Sequence, residues 1–304
     1  PARGYLSVRS ESADDEGVSA SAQSVPEVAI VVPCHGYARF LPDAVASAVD
    51  QTWPNVRVVV VDDGSPDDTA AVSERLIARY PTRRIDLVRQ PNRGLAAARN
   101  AGVRATGSPF VLPLDADDRL EPRAVERLAE ALLTTGADVA TPAGRTFGDE
   151  DRPLVTLPVT RRRLLANNCL VYASLFRRAL FDRVGGYRAI APGYEDWDFW
   201  LSALEHGASF AHVPEPLFRY RKHGRTMLAD SDDHAIERFA AIAAHHPRLY
   251  APWRVRLARR VLAAGGAAGV GLRLRWLLTF LLDRRLRLFC RQLRALRATN
   301  MLST

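Results

Sequence analysis

The stretch Phe110-Val111-Leu112-Pro113-Leu114-Asp115-Ala116-Asp117-Asp118 sets an apolar run directly against three acids in four positions. Such a run reads as a buried strand that delivers carboxylates to its C-terminal edge. Carboxylates this close raise one another's pKa unless a cation offsets them. A hard divalent ion, Mg²⁺ or Mn²⁺, takes one or two carboxylates and completes its shell with phosphate oxygens and water. The same acids also fit a turn that caps the following helix, with Asp118 before Pro122 as the capping side chain. The cluster alone leaves both readings open.

Working outward, short apolar runs alternate with amphipathic stretches. Val28-Ala29-Ile30-Val31-Val32 is a strand ended by Pro33, and Val56-Arg57-Val58-Val59-Val60-Val61 is a second. Helices are expected over 41–51, 67–80 and 95–106, with strands at 85–89 and 110–114. Continuous Val/Ile runs between helices predict an α/β fold with a mostly parallel sheet covered on both faces. Ligands then belong at the carboxyl ends of the strands. Those ends carry Pro33-Cys34-His35-Gly36, Asp62-Asp63-Gly64-Ser65-Pro66-Asp67-Asp68-Thr69 and the acid cluster. Turn and cap chemistry is the preferred reading for Ser65, Asp67 and Asp68.

Beyond Pro122 the regularity weakens. A helix is expected over 125–134, a strand over 137–141, and a loop or edge hairpin over 149–158. The stretch 175–184 runs into the helix-stop pair Gly185-Gly186. Gly193-Tyr194-Glu195-Asp196-Trp197-Asp198-Phe199-Trp200-Leu201 opens a further helix. Acids in a first turn complement the helix dipole. Here Trp197, Phe199 and Trp200 also wall them with apolar surface, which favours tuning one carboxylate as a base.

Composition excludes several chemistries. The 304 residues are 47% hydrophobic, enough for a full core. The formal charge of +8 sits mostly between Arg254 and Arg297, where twelve arginines meet one acid, Asp283. Lys222 is the only lysine, so no G-x-x-x-x-G-K-[ST] phosphate loop exists, and Arg219 three positions before it rules out S-x-x-K. Cys34, Cys169 and Cys290 are odd in number and widely spaced, which fits a reducing cytosol and neither a disulfide framework nor a zinc site. Residues 1–25, rich in Ser, Ala and acids, read as a disordered tail without signal-peptide character. No uncharged apolar run, Trp276 to Leu282 included, approaches the roughly 20 residues that cross a bilayer.

These residues together resemble the family 2 glycosyltransferases of the GT-A fold. The resemblance rests on an ordered set of motifs from Val28 to about Arg225: Val31-Val32-Pro33-Cys34-His35, Ala48-Val49-Asp50-Gln51-Thr52-Trp53-Pro54-Asn55, Val61-Asp62-Asp63-Gly64-Ser65, Asn92-Arg93-Gly94-Leu95-Ala96-Ala97-Ala98-Arg99-Asn100, the D-x-D cluster at Asp115 to Asp118, Gly185-Gly186-Tyr187 and Glu195-Asp196-Trp197-Asp198. It implies an inverting transferase with a nucleotide-activated sugar, uridine being the expected base, and Mn²⁺ or Mg²⁺. It further implies that Pro33, His35 and Asp63 line the base and ribose pocket, with Arg93 near the nucleotide and Asp115 facing the ribose or diphosphate. Asp117 would be the metal ligand and Asp196 the catalytic base, with Glu195 and Asn100 in support. His223, in Tyr220-Arg221-Lys222-His223-Gly224, resembles a histidine near the metal or diphosphate in some members, and also reads as a plain loop histidine. The family's Q-x-x-R-W motif is missing, which favours one transfer per encounter over processive synthesis.

The expected organisation is a tail at 1–25, a GT-A domain at 26–228 and a helical basic extension at 229–304. The domain divides into a nucleotide-sugar half, 26–120, and an acceptor half, 121–228. In the extension, Leu274, Leu277, Leu278, Leu281 and Leu282, then Leu286, Phe289 and Leu293, recur at helical spacing among Arg284, Arg287, Arg291 and Arg294. A basic amphipathic surface of this kind suits an anionic membrane, and equally a helical pair packed on the catalytic domain. The first reading suits a glycan or lipid-linked acceptor of the cell envelope and a cytoplasmic enzyme peripheral to the inner face of the plasma membrane. No nucleic-acid module is present. Oligomeric state is left open. Two other functions compete: a phosphotransferase or phosphatase with an aspartyl nucleophile, whose D-x-D-x-[TV] pattern meets Arg119 at the fifth position and whose later lysine could only be Lys222, and a catalytically silent scaffold that binds a membrane or partner.

Overall fold

The computed structural model describes residues 25–190, 193–224, 235–264 and 266–282. The acid- and serine-rich stretch 1–24 and the basic tail 283–304, with Cys290 and the arginines from Arg284 onward, lie outside the described residues.

Strands β1 (Val28–Cys34), β2 (Val56–Asp63), β3 (Arg84–Gln90) and β4 (Phe110–Pro113) form a parallel half-sheet in the order β3-β2-β1-β4. Side chains alternate between its faces, as the pleat requires. Val28, Ile30 and Val32 of β1 join Val58 and Val60 of β2 in one core, while Val31, Val59, Val61 and Val111 join the other. Both faces are covered, which is why these strands read as continuous apolar runs.

Helices α1 (Leu41–Val49), α2 (Thr69–Arg79) and α4 (Ala124–Thr135) cover one face. In α1, Pro42 sits in the first turn, and Leu41, Ala44, Val45, Ala48 and Val49 form one buried stripe. Helix α3 (Leu95–Arg104) covers the other face at close range. A Cβ on its Gly102 would lie 2.3 Å from Val31 Cγ1.

The second half of the sheet is mixed. Strand β8 (Leu175–Arg177) pairs antiparallel with β4 and with β6 (Val139–Gly148), and β9 (Phe210–Lys222) runs parallel to β6. Short β5 (Arg119–Leu120) and β7 (Pro153–Leu154) pair with β9 and β6, so 149–158 holds the edge hairpin its composition predicts. Two expectations change here. The stretch 175–184 opens as strand, because Leu175 and Phe176 are needed beside β4, and becomes helix α6 (Arg178–Val184) only afterwards. The thirteen-residue β9 is not foreshadowed by any alternating pattern. Its Pro214 and Pro216 fall where the pairing with β6 slips register, a bulge that tolerates residues without a ladder donor.

Helix α5 (Arg161–Ala166) and α7 (Glu195–Glu205) pack on the α3 side. They are joined there by α8 (Ala235–His245), α9 (Pro252–Ala263) and α10 (Gly266–Leu282). Ile236, Phe239, Val255, Trp276 and Leu277 share one core with Trp197 and Trp200 of α7. The described part of the C-terminal extension therefore packs on the sheet-bearing unit. Among the described residues no helix is long and apolar enough to cross a membrane.

Candidate active site

The carboxyl ends of β1, β2 and β4 open into one cavity of about 590 Å³, closed opposite by the end of β9 and the first turn of α7. This is the crevice that an open parallel sheet reserves for ligands. Pro33, His35, Asp63, Asp115, Asp117, Glu195, Asp196 and His223 all line it. Arg93 and Asn100 lie outside the lining, and Asn92 and Ala98 take the corresponding places.

At the β1–β2 side, the Asp63 carboxylate is held by the loop before α3. Its Oδ1 accepts from Gln90 Nε2 at 2.7 Å and from the Arg93 N–H at 2.9 Å, and Oδ2 accepts from the Gly94 N–H at 2.8 Å. Arg93 thus contributes its backbone, while its side chain is exposed. His35 Nδ1 donates to the Asp63 carbonyl at 2.9 Å, because a carbonyl only accepts. That leaves Nε2 to accept from Asn92 Nδ2 at 3.1 Å. Asp67 takes the turn role expected of it, accepting from the Thr69 N–H at 3.2 Å and the Ala38 N–H at 3.0 Å.

In the acid cluster each carboxylate has its own task. Asp118 does not cap a helix. It is fully buried, accepts the Tyr172 hydroxyl on Oδ2 and the Arg221 N–H on Oδ1 at 2.7 Å, and so fastens the loop to β9. Burial pushes its carboxyl well above the usual range, with Asp117 and Asp115 adding to the rise. Asp115 accepts from Arg99 Nη2 at 2.8 Å, and the same guanidinium donates from Nη1 to Glu195 Oε1 at 2.9 Å. Arg99 is buried, so one cation bridges the D-x-D loop to the first turn of α7. Burial, with Asp117 nearby, pushes Asp115 up to about 6 even though Arg99 pulls the other way. Asp117 turns its carboxylate to the cavity, where Oδ2 lies 2.9 Å from His223 Nε2. The His223 ring packs against Phe40 and Tyr37, with centroids 4.7 and 5.7 Å away.

Asp196 sits in the cavity wall, partly exposed, with Oδ2 accepting from Asn168 Nδ2 at 2.8 Å and Oδ1 from the Trp197 N–H at 2.7 Å. Burial and then the neighbouring Glu195 charge push its carboxyl up to about 7. Asn100 ties α3 to the Gly185-Gly186-Tyr187 turn: its side chain bonds both the Tyr187 N–H and the Tyr187 carbonyl, at 2.8 and 2.7 Å. Gly186 makes that contact feasible, since its φ is +85° and a Cβ there would fall 2.6 Å from Asn100 Oδ1.

The donor set fits a divalent cation shared with a ligand. Asp117 and His223 present one carboxylate and one imidazole side by side. Among the described residues no group of three or more His, Cys, Asp or Glu gathers, so a cation here would need phosphate oxygens or water to fill its shell. Arg99, Tyr172, Asn92 and Arg221 are site residues that sequence reasoning passes over. Asn92 and Arg99 fall inside the Asn92 to Asn100 motif and Arg221 inside the Tyr220 to Gly224 stretch, where only Arg93, Asn100 and His223 are singled out, and Tyr172 sits in a stretch without a motif.

Residues 29–187 match the family profile of Glycosyl transferase family 2. Chondroitin synthase of Escherichia coli is 26% identical over 215 residues, covering 68% of this chain and 30% of that protein. Hyaluronan synthase of Pasteurella multocida is 38% identical over 209 residues, covering 66% of this chain and 21% of that protein. The chain thus spans less than a third of the length of either synthase. TarS of S. aureus, solved with UDP-GlcNAc, superposes with a TM-score of 0.63 at 16% identity, over 86% of this chain and 82% of that one. The mannosyltransferase PcManGT from Pyrobaculum calidifontis, solved with GDP-Man and Mn²⁺, gives 0.60 at 20% identity, over 88% and 87%. At those identities the likeness is one of fold.

Proposed function

The chain belongs to Glycosyl transferase family 2 and has the GT-A fold, and from that premise we propose that it moves a sugar from a nucleoside-diphosphate sugar to an acceptor hydroxyl with inversion. The observation that carries this reading is the placement of Asp196 across one cavity from Asp115 and Asp117, with Arg99 bridging the two walls. The base and ribose lie against Pro33, His35 and Asp63, and the diphosphate lies by Asp117 and His223. Asp117 and His223 would hold a Mg²⁺ or Mn²⁺, which when bound would supply positive charge to the leaving diphosphate.

Asp196 accepts the proton of the acceptor hydroxyl as that oxygen bonds to the anomeric carbon. The bond from that carbon to the phosphate oxygen breaks, and its electron pair leaves with the diphosphate. A carboxyl raised to about 7 is well matched to taking a proton near neutral pH. Asn168 and the Trp197 N–H orient it, and the single displacement inverts the centre. UDP- and GDP-sugars are both candidates, given the donors bound by the two similar folds. The acceptor is a glycan or lipid-linked glycan. Between Pro252 and Leu282 there are six arginines and no acid, and Trp253, Leu274 and Leu278 remain exposed beside the packed face. That surface suits contact with an anionic membrane.

The test is calorimetry with UDP, GDP and TDP, each with and without Mn²⁺, on the wild type and Asp117→Ala. One nucleotide should bind more tightly with Mn²⁺, and Asp117→Ala should lose that increment. No binding of any nucleotide would overturn the reading.

A further inference from the structure

Helix α7 carries a second set of charged contacts that the reaction does not use. Asp198, Ser202 and Glu205 fall at i, i+4 and i+7, one stripe of the helix. Asp198 lies about 200° round the axis from Asp196, facing away from the cavity. Arg188, just beyond Gly185-Gly186-Tyr187, donates from Nε and Nη2 to the two Asp198 oxygens at 2.8 and 2.7 Å, and from Nη2 to Ser202 Oγ at 3.0 Å. His246, just past the end of α8, places Nε2 3.0 Å from Asp198 Oδ1, while Nδ1 lies 3.4 Å from Glu205 Oε2 without a hydrogen bond. His246 and Asp198 are both completely buried. Burial pushes the Asp198 carboxyl up, yet the bonds from His246 and Arg188 outweigh it and hold the group below the usual carboxylate range.

We infer that His246 and Arg188 are positioning residues that fix the register of α7, and so the place of Asp196 against the acceptor hydroxyl. The inference rests on the base reading of Asp196. Buried ion pairs add little net stability over apolar packing, but their directionality fixes geometry. Phe239 packs edge-on to Trp197, with centroids 5.0 Å apart, an apolar contact that holds α7 on α8 without fixing its shift along the axis. His246 and Arg188 do fix it, because His246 Nε2 meets Asp198 and the Arg188 fork meets both Asp198 and Ser202, one turn apart. The C-terminal helices then belong to the catalytic unit although none of their residues lines the cavity.

The experiment measures nucleotide release from UDP-GlcNAc and GDP-mannose, with Mn²⁺ and water as acceptor, on the full chain and on His246→Ala, His246→Gln, Arg188→Ala and Asp196→Asn. His246→Ala should lower kcat roughly 10- to 100-fold, the penalty of an ångström-scale misplacement. Calorimetric nucleotide affinity should stay unchanged, and His246→Gln, which keeps an N–H toward Asp198, should recover most of the rate. Arg188→Ala, altered at a half-exposed side chain, should show the same split and carries the test if His246→Ala does not fold. Wild-type kcat in folded His246→Ala or Arg188→Ala overturns the inference, as does a parallel loss of nucleotide affinity and kcat. Activity retained in Asp196→Asn, or no turnover by the wild type, removes the base reading and this inference with it. An inactive Asp196→Asn beside an unimpaired His246→Ala removes this inference alone.

Discussion

At the scale of single residues, two adjacent acids divide the work by their surroundings. Glu195 is ion-paired with Arg99, while Asp196 is raised to about 7 by burial and by the Glu195 charge. A base must be unprotonated to act, so kcat/KM should rise about tenfold per pH unit up to an apparent pKa near 7 and then level. Glu195→Gln removes the like charge and should move that limb to lower pH, read from the same profile. An unchanged limb would separate the limb from Asp196. Arg99→Ala leaves Asp115 and Glu195 facing each other without a cation. It should cost about 3–5 kcal/mol in urea denaturation and weaken nucleotide binding. The acids were legible in the sequence because they sit at a strand end and a helix start, where spacing carries meaning. Arg99 was not, since its two partners lie 16 and 96 residues away along the chain.

At the scale of elements, the site depends on how tightly α3 lies on β1 and β2, because α3 delivers Arg99 and Asn100. Gly102→Val would drive side-chain atoms into Val31 and Val61, lifting the helix. Overpacking of this kind costs about 1–3 kcal/mol, checked by chemical denaturation, and should lower nucleotide affinity together with stability. The parallel strands were legible because burial on both faces leaves continuous Val/Ile runs. Strand β9 was not: its prolines and charges deny it a pattern, and only pairing with β6 and β5 makes Phe210–Lys222 extended. That strand brings Arg221 and His223 to the D-x-D loop. Half of the cavity is thus assembled by tertiary contact, which local periodicity does not encode.

For the whole molecule, the sheet separates two cores, and the one on the α3 side runs without interruption from Val31 through Trp197 to Trp276. A chain ended at residue 228 would strip Ile236, Phe239, Trp276 and Leu277 from that core. Each such side chain is worth about 1.5–3 kcal/mol of burial, so the truncated chain should fail to give a cooperative melt by circular dichroism. A soluble truncation melting like the full chain would restore the extension to the status of a separate appendage. We propose above that this cavity breaks a nucleotide sugar with Asp196 as the base. The direct test is nucleotide release by wild type and Asp196→Asn, measured in parallel with their nucleotide affinity. Release should be lost in Asp196→Asn while affinity is kept. Equal release by both proteins would contradict it.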